Sequence, residues 1–363
     1  MTPASLATAR PVWLIFAATL FAGCLPSSCQ REESRFLFAA DSLSRAHAEA
    51  LPVDTLELVF ETSTDPAVFS LPRTLAFDDN GGLVVSDAEA NQIVELSAEG
   101  RVAARHELGS GAAPGGIPYI VGLSADTVYV FSAGDNTITG LVDGRRTLHF
   151  ALDQADAARQ LRYVVAGDTG VWVKSVDPDS GSVAVRYRWD GTRTAPTTLR
   201  GPYWAHAGVL RSSGDSVLSI RGYMPVVNVI DATGQIDSVR LRGFDSPMLA
   251  RMRSFQLGST KSPPLLIPSA VYDGERFYVI NARPGWLRID VYDASMSLEA
   301  ILVEPNPGFD KSYYPTDIAV RAEAGRILLA VSIQEPEPSV RLFAWEPRDE
   351  GFAPILGRSG PSR

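Results

Sequence analysis

Short apolar runs separated by turn residues make up most of this chain, and the pattern is clearest between Leu71 and Leu108. Four segments there alternate apolar and polar positions or run apolar, as expected of β-strands: Arg73–Asp78, Gly82–Ser86, Gln92–Ser97 and Arg101–Glu107. Each gap between them contains Asp, Asn or Gly, which favour tight turns. The stretch therefore predicts a four-stranded antiparallel sheet.

The same unit recurs along the chain, and its second strand is the easiest part to recognise. Six copies of that strand share a short, mostly apolar run: Leu83–Ser86, Val128–Phe131, Val171–Lys174, Val217–Ile220, Phe277–Ile280 and Ile327–Ala330. Their first residues are separated by 45, 43, 46, 60 and 50 residues. Repeats of this size with four strands each are typical of propellers, because a lone blade must stack on neighbours to bury both faces. The sequence predicts an all-β, six-bladed β-propeller of four-stranded antiparallel blades.

One early strand, Leu56–Phe60, has no hairpin partner beside it in the sequence. We expect it to pair with the last blade, because that pairing joins the start of the chain to its end and removes exposed sheet edges. A turn at Asp349–Gly351 is also predicted to lead into a fourth strand of that blade.

Two segments of the first unit, Asp79–Asp87 and Asn91–Val94, resemble the NHL repeat of six-bladed propellers. The resemblance covers one blade well, and the other five match it by strand pattern alone. It implies the propeller fold, and fold by itself does not assign an activity.

The N-terminus has the parts of a bacterial secretory signal: Arg10, an apolar run over Pro11–Ala22, then Gly23 and Cys24. Phe21–Cys24 resembles the lipobox, which implies cleavage before Cys24 and its lipidation; the alternative is a plain signal peptide cut nearby. We expect a signal peptide at 1–23, a tether at 24–53, the propeller at 54–358 and a tail at 359–363. Acyl chains on Cys24 would hold the protein at the cell envelope, facing the periplasm or the outer surface.

Composition narrows the classes of partner. The 363 residues carry a net charge of −9, so a nucleic acid is not expected to bind. Both cysteines, Cys24 and Cys29, precede the propeller, which excludes a disulfide framework or a Cys-based metal site in it. The four histidines are scattered, so neither a histidine metal cluster nor any cofactor is predicted. A closed ring needs no partner subunit, and we expect a monomer.

The 60-residue step contains one predicted helix, Asp245–Gly258, bracketed by Ser246, Pro247 and a terminal Gly. Met248, Leu249, Met252 and Phe255 would share one face of this helix. The helix is expected to pack outside a blade junction, or alternatively to serve as a lid or to dock a partner.

The connections alternate between two faces of the ring. The face that carries the blade-to-blade links and the loops between second and third strands, such as Arg221–Pro225, has the longer segments, and we call it the long-loop face. Function tends to lie on such loops. First strands begin on this face near the axis, so their first residues should ring the channel mouth. The candidate ligand-binding residues are Arg73, Tyr119, Arg162, Trp204, His206, Tyr314 and Asp317.

Guanidinium and phenol groups facing one cavity would suit an anionic or sugar-like ligand. The alternative is that the arginines pair with neighbouring carboxylates and that the channel holds only water. The leading functional interpretation is a lipid-anchored, non-enzymatic propeller that binds an envelope protein, a peptide or a glycan through the long-loop face. No catalytic residue or metal ligand is singled out.

Two other functions stay open. Calcium-dependent lactonases resemble this architecture, which implies a metal-dependent hydrolase or lyase with its site at the channel mouth. Such enzymes need several carboxylates and Asn side chains at the axis, where Asp317 is the acid that the pattern places. In the third interpretation, the propeller serves as a spacer within a larger envelope assembly.

Overall fold

A computed structural model describes residues 42–64, 67–108, 117–124, 126–153, 161–307, 313–323 and 325–347. This part of the chain begins with helix α1 (42–50) and the strands β1 (Val53–Thr55) and β2 (Glu57–Glu61). Cys24, Cys29 and the predicted turn at Asp349–Gly351 lie outside the described residues. Within those ranges, no helix is long and apolar enough to cross a membrane.

Six sheets follow around a ring, which confirms the predicted six-bladed β-propeller. Blade 1 contains β3 (Pro72–Phe77), β4 (Leu83–Asp87), β5 (Gln92–Leu96) and β6 (Val102–Glu107). Blade 2 contains β7 (Pro118–Ser124), β8 (Thr127–Ser132), β9 (Thr137–Val142) and β10 (Arg145–Ala151). Blade 3 contains β11 (Leu161–Gly167), β12 (Gly170–Asp177), β13 (Gly181–Tyr187) and β14 (Thr197–Leu199).

The other three blades complete the ring. Blade 4 contains β15 (Leu210–Ser213), β16 (Ser216–Ile220), β17 (Val226–Ile230) and β18 (Ile236–Arg240). Blade 5 contains β19 (Ala270–Tyr272), β20 (Phe277–Ile280), β21 (Arg288–Tyr292) and β22 (Leu298–Val303). Blade 6 contains β23 (Tyr314–Glu323), β24 (Arg326–Glu335) and β25 (Ser339–Trp345), with β2 as its fourth strand. Every predicted second-strand run lies in the second strand of its blade.

Aspartate side chains shape many of the tight turns. In blade 4, Asp231 Oδ1 accepts hydrogen bonds from the backbone N–H groups of Thr233 (2.8 Å) and Gln235 (2.9 Å). Gly234 completes this turn at φ +85°, a conformation that favours glycine. Asp78, Asp190, Asp273 and Asp293 cap turns in other blades in the same way. These local hydrogen bonds explain why the turns could be predicted from the sequence.

In the described residues, the hydrophobic core consists of six clusters, one at each junction between neighbouring blades. Between blades 5 and 6, for example, Tyr278 and Ile280 pack with Leu329 and Val331, all fully buried. The second strands of blades 1, 3 and 5 are buried on both faces because each of these blades is covered on both sides, and this is why their sequences are mostly apolar.

The N-terminal segment closes the ring. As predicted, β2 pairs with β25, in antiparallel register from Glu57 opposite Ala344 to Glu61 opposite Arg341. The sequence did not predict β1, which pairs in parallel with β22 and makes blade 5 five-stranded. Helix α1 also contacts the propeller, since His47 Nε2 donates to the backbone carbonyl of Leu298 at 2.9 Å. Residues 42–61 therefore join blades 5 and 6.

The inserted helix α2 spans Met248–Gln256, within the predicted range. Leu249 and Met252 are buried in the cluster between blades 4 and 5, and Met248 and Phe255 pack against the same cluster. The predicted apolar face thus packs on a blade junction. Its position there agrees with the first of the two interpretations of this helix.

Candidate functional site at the channel mouth

A cavity of about 360 Å³ lies where the first strands of several blades meet at the axis. Its walls combine charged, phenolic and apolar side chains: Arg73, Thr74, Tyr119, Ile120, Val121, Phe131, Leu161, Arg162, Tyr163, Val164, Ala207, Gly208, Val209, Leu210, Arg211, Tyr223, Leu265, Ile267, Pro268, Tyr314, Thr316 and Asp317. This volume falls in the range of about 300–1,000 Å³ that is usual for small-molecule sites.

Five of the seven candidate residues line this cavity: Arg73, Tyr119, Arg162, Tyr314 and Asp317. The reason is their position, since each lies within the first four residues of the innermost strand of its blade. In blades 1, 2 and 3 the residue concerned is the second one of that strand.

The structure does not place Trp204 and His206 in the cavity. Trp204 packs edge-to-face on Phe255 of α2, with ring centroids 5.1 Å apart. His206 is buried and donates from Nε2 to the backbone carbonyl of Arg200 at 2.8 Å, and it borders a separate cavity between blades 3 and 4. Burial and the nearby Arg221 lower the pKa of His206 to about 4, so its imidazole is neutral at physiological pH.

The displacement of these two residues has a simple cause. A short 3-10 turn, Tyr203–His206, precedes blade 4, and its innermost strand begins only at Leu210. Arg211 is the second residue of that strand and takes the position expected for His206. Sequence reasoning missed Arg211, although the spacing shared by Arg73, Tyr119 and Arg162 could have indicated it.

The cavity is cationic, although the whole protein has a net charge of −9. Among the described lining residues, Arg73, Arg162 and Arg211 oppose one acid, Asp317, which gives a net charge of +2. Arg211 forms an ion pair with Asp317. Ser269 Oγ donates to the same carboxylate at 2.6 Å, and the backbone N–H of Leu75 donates to its other oxygen at 3.2 Å. This network ties together four neighbouring blades: 4, 5, 6 and 1.

Arg73 differs from Arg211 because it has no carboxylate partner among the described residues. Its Nε is buried and has no hydrogen-bond partner there. Leaving a buried donor unsatisfied costs about 1–3 kcal/mol, and more for a charged group. Such a group is an indication of a binding site, because a bound acceptor would remove this cost.

Arg162 is held in a fixed orientation. Its Nη1 donates to Asn136 Oδ1 at 2.9 Å, its Nη2 donates to the backbone carbonyl of Ala133 at 3.1 Å, and its guanidinium lies over the Phe131 ring at 5.8 Å. Burial lowers the pKa of Arg162 from its usual value. The partially desolvated guanidinium favours an anion nearby, since charges interact more strongly away from water.

Phenol groups form the rest of the polar surface: Tyr119, Tyr163, Tyr223 and Tyr314. Burial, followed by the nearby Tyr223, raises the pKa of Tyr163 to about 12, so this phenol stays neutral and can donate a hydrogen bond. Sequence reasoning missed Tyr163 and Tyr223. Tyr223 lies in the loop between β16 and β17. The backbone at Gly208 packs closely against the start of this loop, because a Cβ at Gly208 would lie 2.4 Å from the Ile220 carbonyl oxygen.

A buried lysine lies behind Tyr163. Lys174 Nζ is 4.9 Å from the centre of the Tyr163 ring and donates to Ser219 Oγ at 2.9 Å. Its side chain is fully buried, and among the described residues it has no carboxylate partner. Burial, assisted by the nearby Arg221, lowers the pKa of Lys174 well below its usual value, which favours the neutral amine.

The donor set at the axis does not fit a calcium ion. Calcium takes about 6–8 oxygen ligands, several of them carboxylates. Among the described lining residues, Asp317 is the single carboxylate, and both of its oxygens accept hydrogen bonds from the protein. In the part of the chain that the structure describes, no three His, Cys, Asp or Glu side chains form a group that could hold a metal.

No protein-family model and no curated protein sequence matches the chain. Among solved structures, it is similar to the calcium-binding protein regucalcin from Agrobacterium tumefaciens, with 15% identity, a TM-score of 0.50, and coverage of 81% of this chain and 98% of that one. Virginiamycin B lyase from Staphylococcus aureus gives 12% identity, a TM-score of 0.48, and coverage of 76% and 95%.

Raptor from Chaetomium thermophilum gives 11% identity and a TM-score of 0.52, with coverage of 80% of this chain and 29% of that one. At these identities, the similarity concerns the fold alone. The fold and the site together define the class: a six-bladed β-propeller with a cationic, tyrosine-lined cavity at its axis.

Proposed function

We propose that this propeller binds an organic anion, a carboxylate attached to an apolar or aromatic body, in its axial cavity. The observation that carries the proposal is Arg73: its buried Nε has no partner among the described residues, in a cavity whose described lining has a net charge of +2. A carboxylate accepts two parallel hydrogen bonds from a guanidinium, which suits an arginine with free donors.

The other walls suit the rest of such a ligand. Ile120, Phe131 and Ile267 provide apolar surface, and the neutral phenol of Tyr163 can donate to a second ligand oxygen. The opposing Asp317 is already paired with Arg211, so it does not cancel the charge of Arg73. The positive charge of the cavity, and not the negative net charge of the whole protein, would then determine the binding of an anion.

This proposal narrows the binding interpretation that was drawn from the sequence. The alternative, a metal-dependent hydrolase or lyase of the lactonase kind, draws support from a shared architecture with regucalcin. That activity requires a divalent cation beside Asp317. Both oxygens of this carboxylate already accept hydrogen bonds from the protein, so they are poorly suited to coordinate a cation. The binding function therefore has the stronger support.

Isothermal titration calorimetry with 3-phenylpropionate and with its primary amide tests the proposal. A charge-assisted hydrogen bond contributes about 1.5–3 kcal/mol, so we expect the amide and the Arg73→Met variant each to weaken binding about tenfold or more. Arg326→Met is a matched control, because Arg326 pairs with Glu323 at the turn between β23 and β24, on the opposite face.

Equal affinity for the acid and the amide, or unchanged affinity in Arg73→Met, would overturn the proposal. The melting temperature of each variant shows whether it is folded. Arg73→Gln keeps a polar but uncharged side chain and serves as a second variant if Arg73→Met fails to fold.

We further propose that Cys24 carries the lipid that holds the protein at the cell envelope. Support comes from the apolar run over Pro11–Ala22 and from Gly23 before the cysteine. Metabolic labelling with radioactive palmitate in a bacterial host tests this. We expect label on the wild-type protein and none on Cys24→Ser, and equal labelling of both would refute the assignment.

A further inference from the structure

Large exposed apolar side chains surround the mouth of the axial cavity. Four of these side chains form what we call the apolar collar: Ile117 (37% exposed), Leu161 (47%), Tyr203 (43%) and Tyr314 (42%). Leu161 and Tyr314 also line the cavity, and Tyr203 begins the short turn that leads into the lining residues Ala207 to Arg211. Ile117 directly precedes β7, the innermost strand of blade 2. The collar thus extends the apolar surface of the cavity outward onto the long-loop face.

We propose that the collar and the cavity together bind the carboxyl-terminal end of an apolar peptide. The inference rests on the proposed function, because the terminal carboxylate would take the place of the organic anion beside Arg73. The side chains that precede the carboxylate would lie on the collar. Extended peptides carry both parts, an anionic end and a run of side chains, in one molecule.

The charge of the cavity selects the carboxyl end of a peptide over its amino end. Arg73, Arg162 and Arg211 outnumber Asp317 among the described lining residues. A terminal ammonium group would be repelled by this excess, whereas a terminal carboxylate is attracted, and in a partly desolvated cavity the difference is large.

Arg73 favours a chain end over an internal segment. The Asp317 carboxylate is already bound by Arg211, by Ser269 Oγ and by the backbone of Leu75, which come from three other blades. Arg73 has no carboxylate partner among the described residues. The backbone of a peptide carries a carboxylate only at its C-terminal end, so we expect the chain end to lie in the cavity.

The collar explains why the ligand would be longer than a small acid. A ligand confined to about 360 Å³ does not cover side chains outside the cavity mouth. Clustered apolar surface at the rim of a concave site is typical of protein and peptide recognition. Tyrosine suits such a rim, because its ring packs against apolar side chains while its hydroxyl reaches the peptide backbone.

Calorimetry with three N-acetylated tetrapeptides, ending in Leu, Phe or Val with a free carboxylate, tests the inference. We expect one or more of them to bind at least about tenfold tighter than 3-phenylpropionate, because burial of collar surface adds about 25 cal/mol per Å² before costs of ordering. The corresponding carboxamides should lose about tenfold or more.

The double variant Ile117→Ser/Tyr203→Ser isolates the collar, since neither residue lines the cavity. We expect it to weaken the best tetrapeptide at least about fivefold, while the affinity for 3-phenylpropionate changes less than about twofold. Leu58→Ser is a matched control, because Leu58 is 42% exposed on β2, at the outer edge of blade 6.

The outcomes separate the two proposals. If 3-phenylpropionate binds with dependence on Arg73 but no tetrapeptide binds more tightly, the anion site stands and the peptide inference is wrong. Equal binding of tetrapeptide acids and carboxamides would also overturn the inference. Loss of binding to both classes of ligand in Arg73→Gln, with the fold intact, would support both proposals.

Discussion

Replacing Asp317 with alanine tests whether the network at the axis holds the innermost strands together. The Asp317 side chain is 5% exposed and that of Arg211 is 21% exposed, so the ion pair is largely shielded from water. Ser269 Oγ and the backbone N–H of Leu75 also donate to this carboxylate. The substitution therefore removes the acceptor of three donors that come from three other blades.

The expected cost follows from these contacts. Removing one partner of a buried ion pair destabilises a protein by about 3–5 kcal/mol. Partial exposure of Arg211 lets water solvate part of the orphaned charge, so we expect about 3 kcal/mol, near the lower end. At roughly 2 °C per kcal/mol for a protein of this size, the melting temperature should fall by about 6 °C.

Urea denaturation and calorimetry of four proteins measure this cost: wild type, Asp317→Ala, Arg211→Met and the double variant. We expect the double variant to be more stable than Asp317→Ala, because no cation is left without its partner. A loss below about 0.5 kcal/mol in Asp317→Ala would refute the reasoning, since ordinary surface substitutions have effects of that size.

The same substitution should act in the opposite direction on ligand binding. Without Asp317, the net charge of the described lining rises from +2 to +3. At an effective dielectric constant of about 20–40 and a separation of about 8 Å, the added attraction for a monoanion is about 1–2 kcal/mol. The affinity for 3-phenylpropionate should therefore rise about fivefold or more, and a fall would contradict the charge argument.

Two further predictions concern stability. Lys174→Met should raise the melting temperature at pH 7, because burial lowers the pKa of Lys174 in the folded state whereas the unfolded chain takes up the proton below about 10.5. This advantage should shrink as the pH rises toward 10.5, and thermal melts between pH 7 and pH 10 measure it; a constant difference would contradict the assignment. Leu56→Ala should cost about 2–4 kcal/mol in urea denaturation, because Leu56 is 2% exposed in the cluster between blades 5 and 6. Leu58→Ala, two residues on and 42% exposed, should cost under about 0.5 kcal/mol, and equal losses in the two variants would refute the closure argument.

The blades could be predicted from the sequence because their signals are local. Turns such as the one at Asp231 are stabilised by hydrogen bonds within five residues, so the residue types alone reveal them. Second strands such as Phe277–Ile280 are buried on both faces, which makes them continuous apolar runs. The pairing of β2 with β25 followed from the lack of a hairpin partner for the early strand and from the exposed edges that it would cover.

Features that depend on contacts between distant segments could not be predicted. The strand β1 has only three residues and pairs with a strand some 250 positions away, so no periodic pattern identifies it. Because of the turn at Tyr203–His206, the first strand of blade 4 begins a few residues later than the sequence pattern predicted. Arg211, and not His206, therefore lies at the cavity. Tyr223 reaches the cavity from a loop, and loop geometry carries no hydrophobic period.

Closure by β2 and β25 also has a consequence for biosynthesis. The ribosome makes the first of these strands before any complete blade and makes the second after every other described strand, so the two can meet only once the other five blades have been synthesised. Until then the growing polypeptide exposes an open edge and the apolar face of its newest sheet. We therefore expect nascent chains stalled before Ser339 to be sensitive to protease and to be retained by chaperones, and to become resistant once Trp345 has left the exit tunnel.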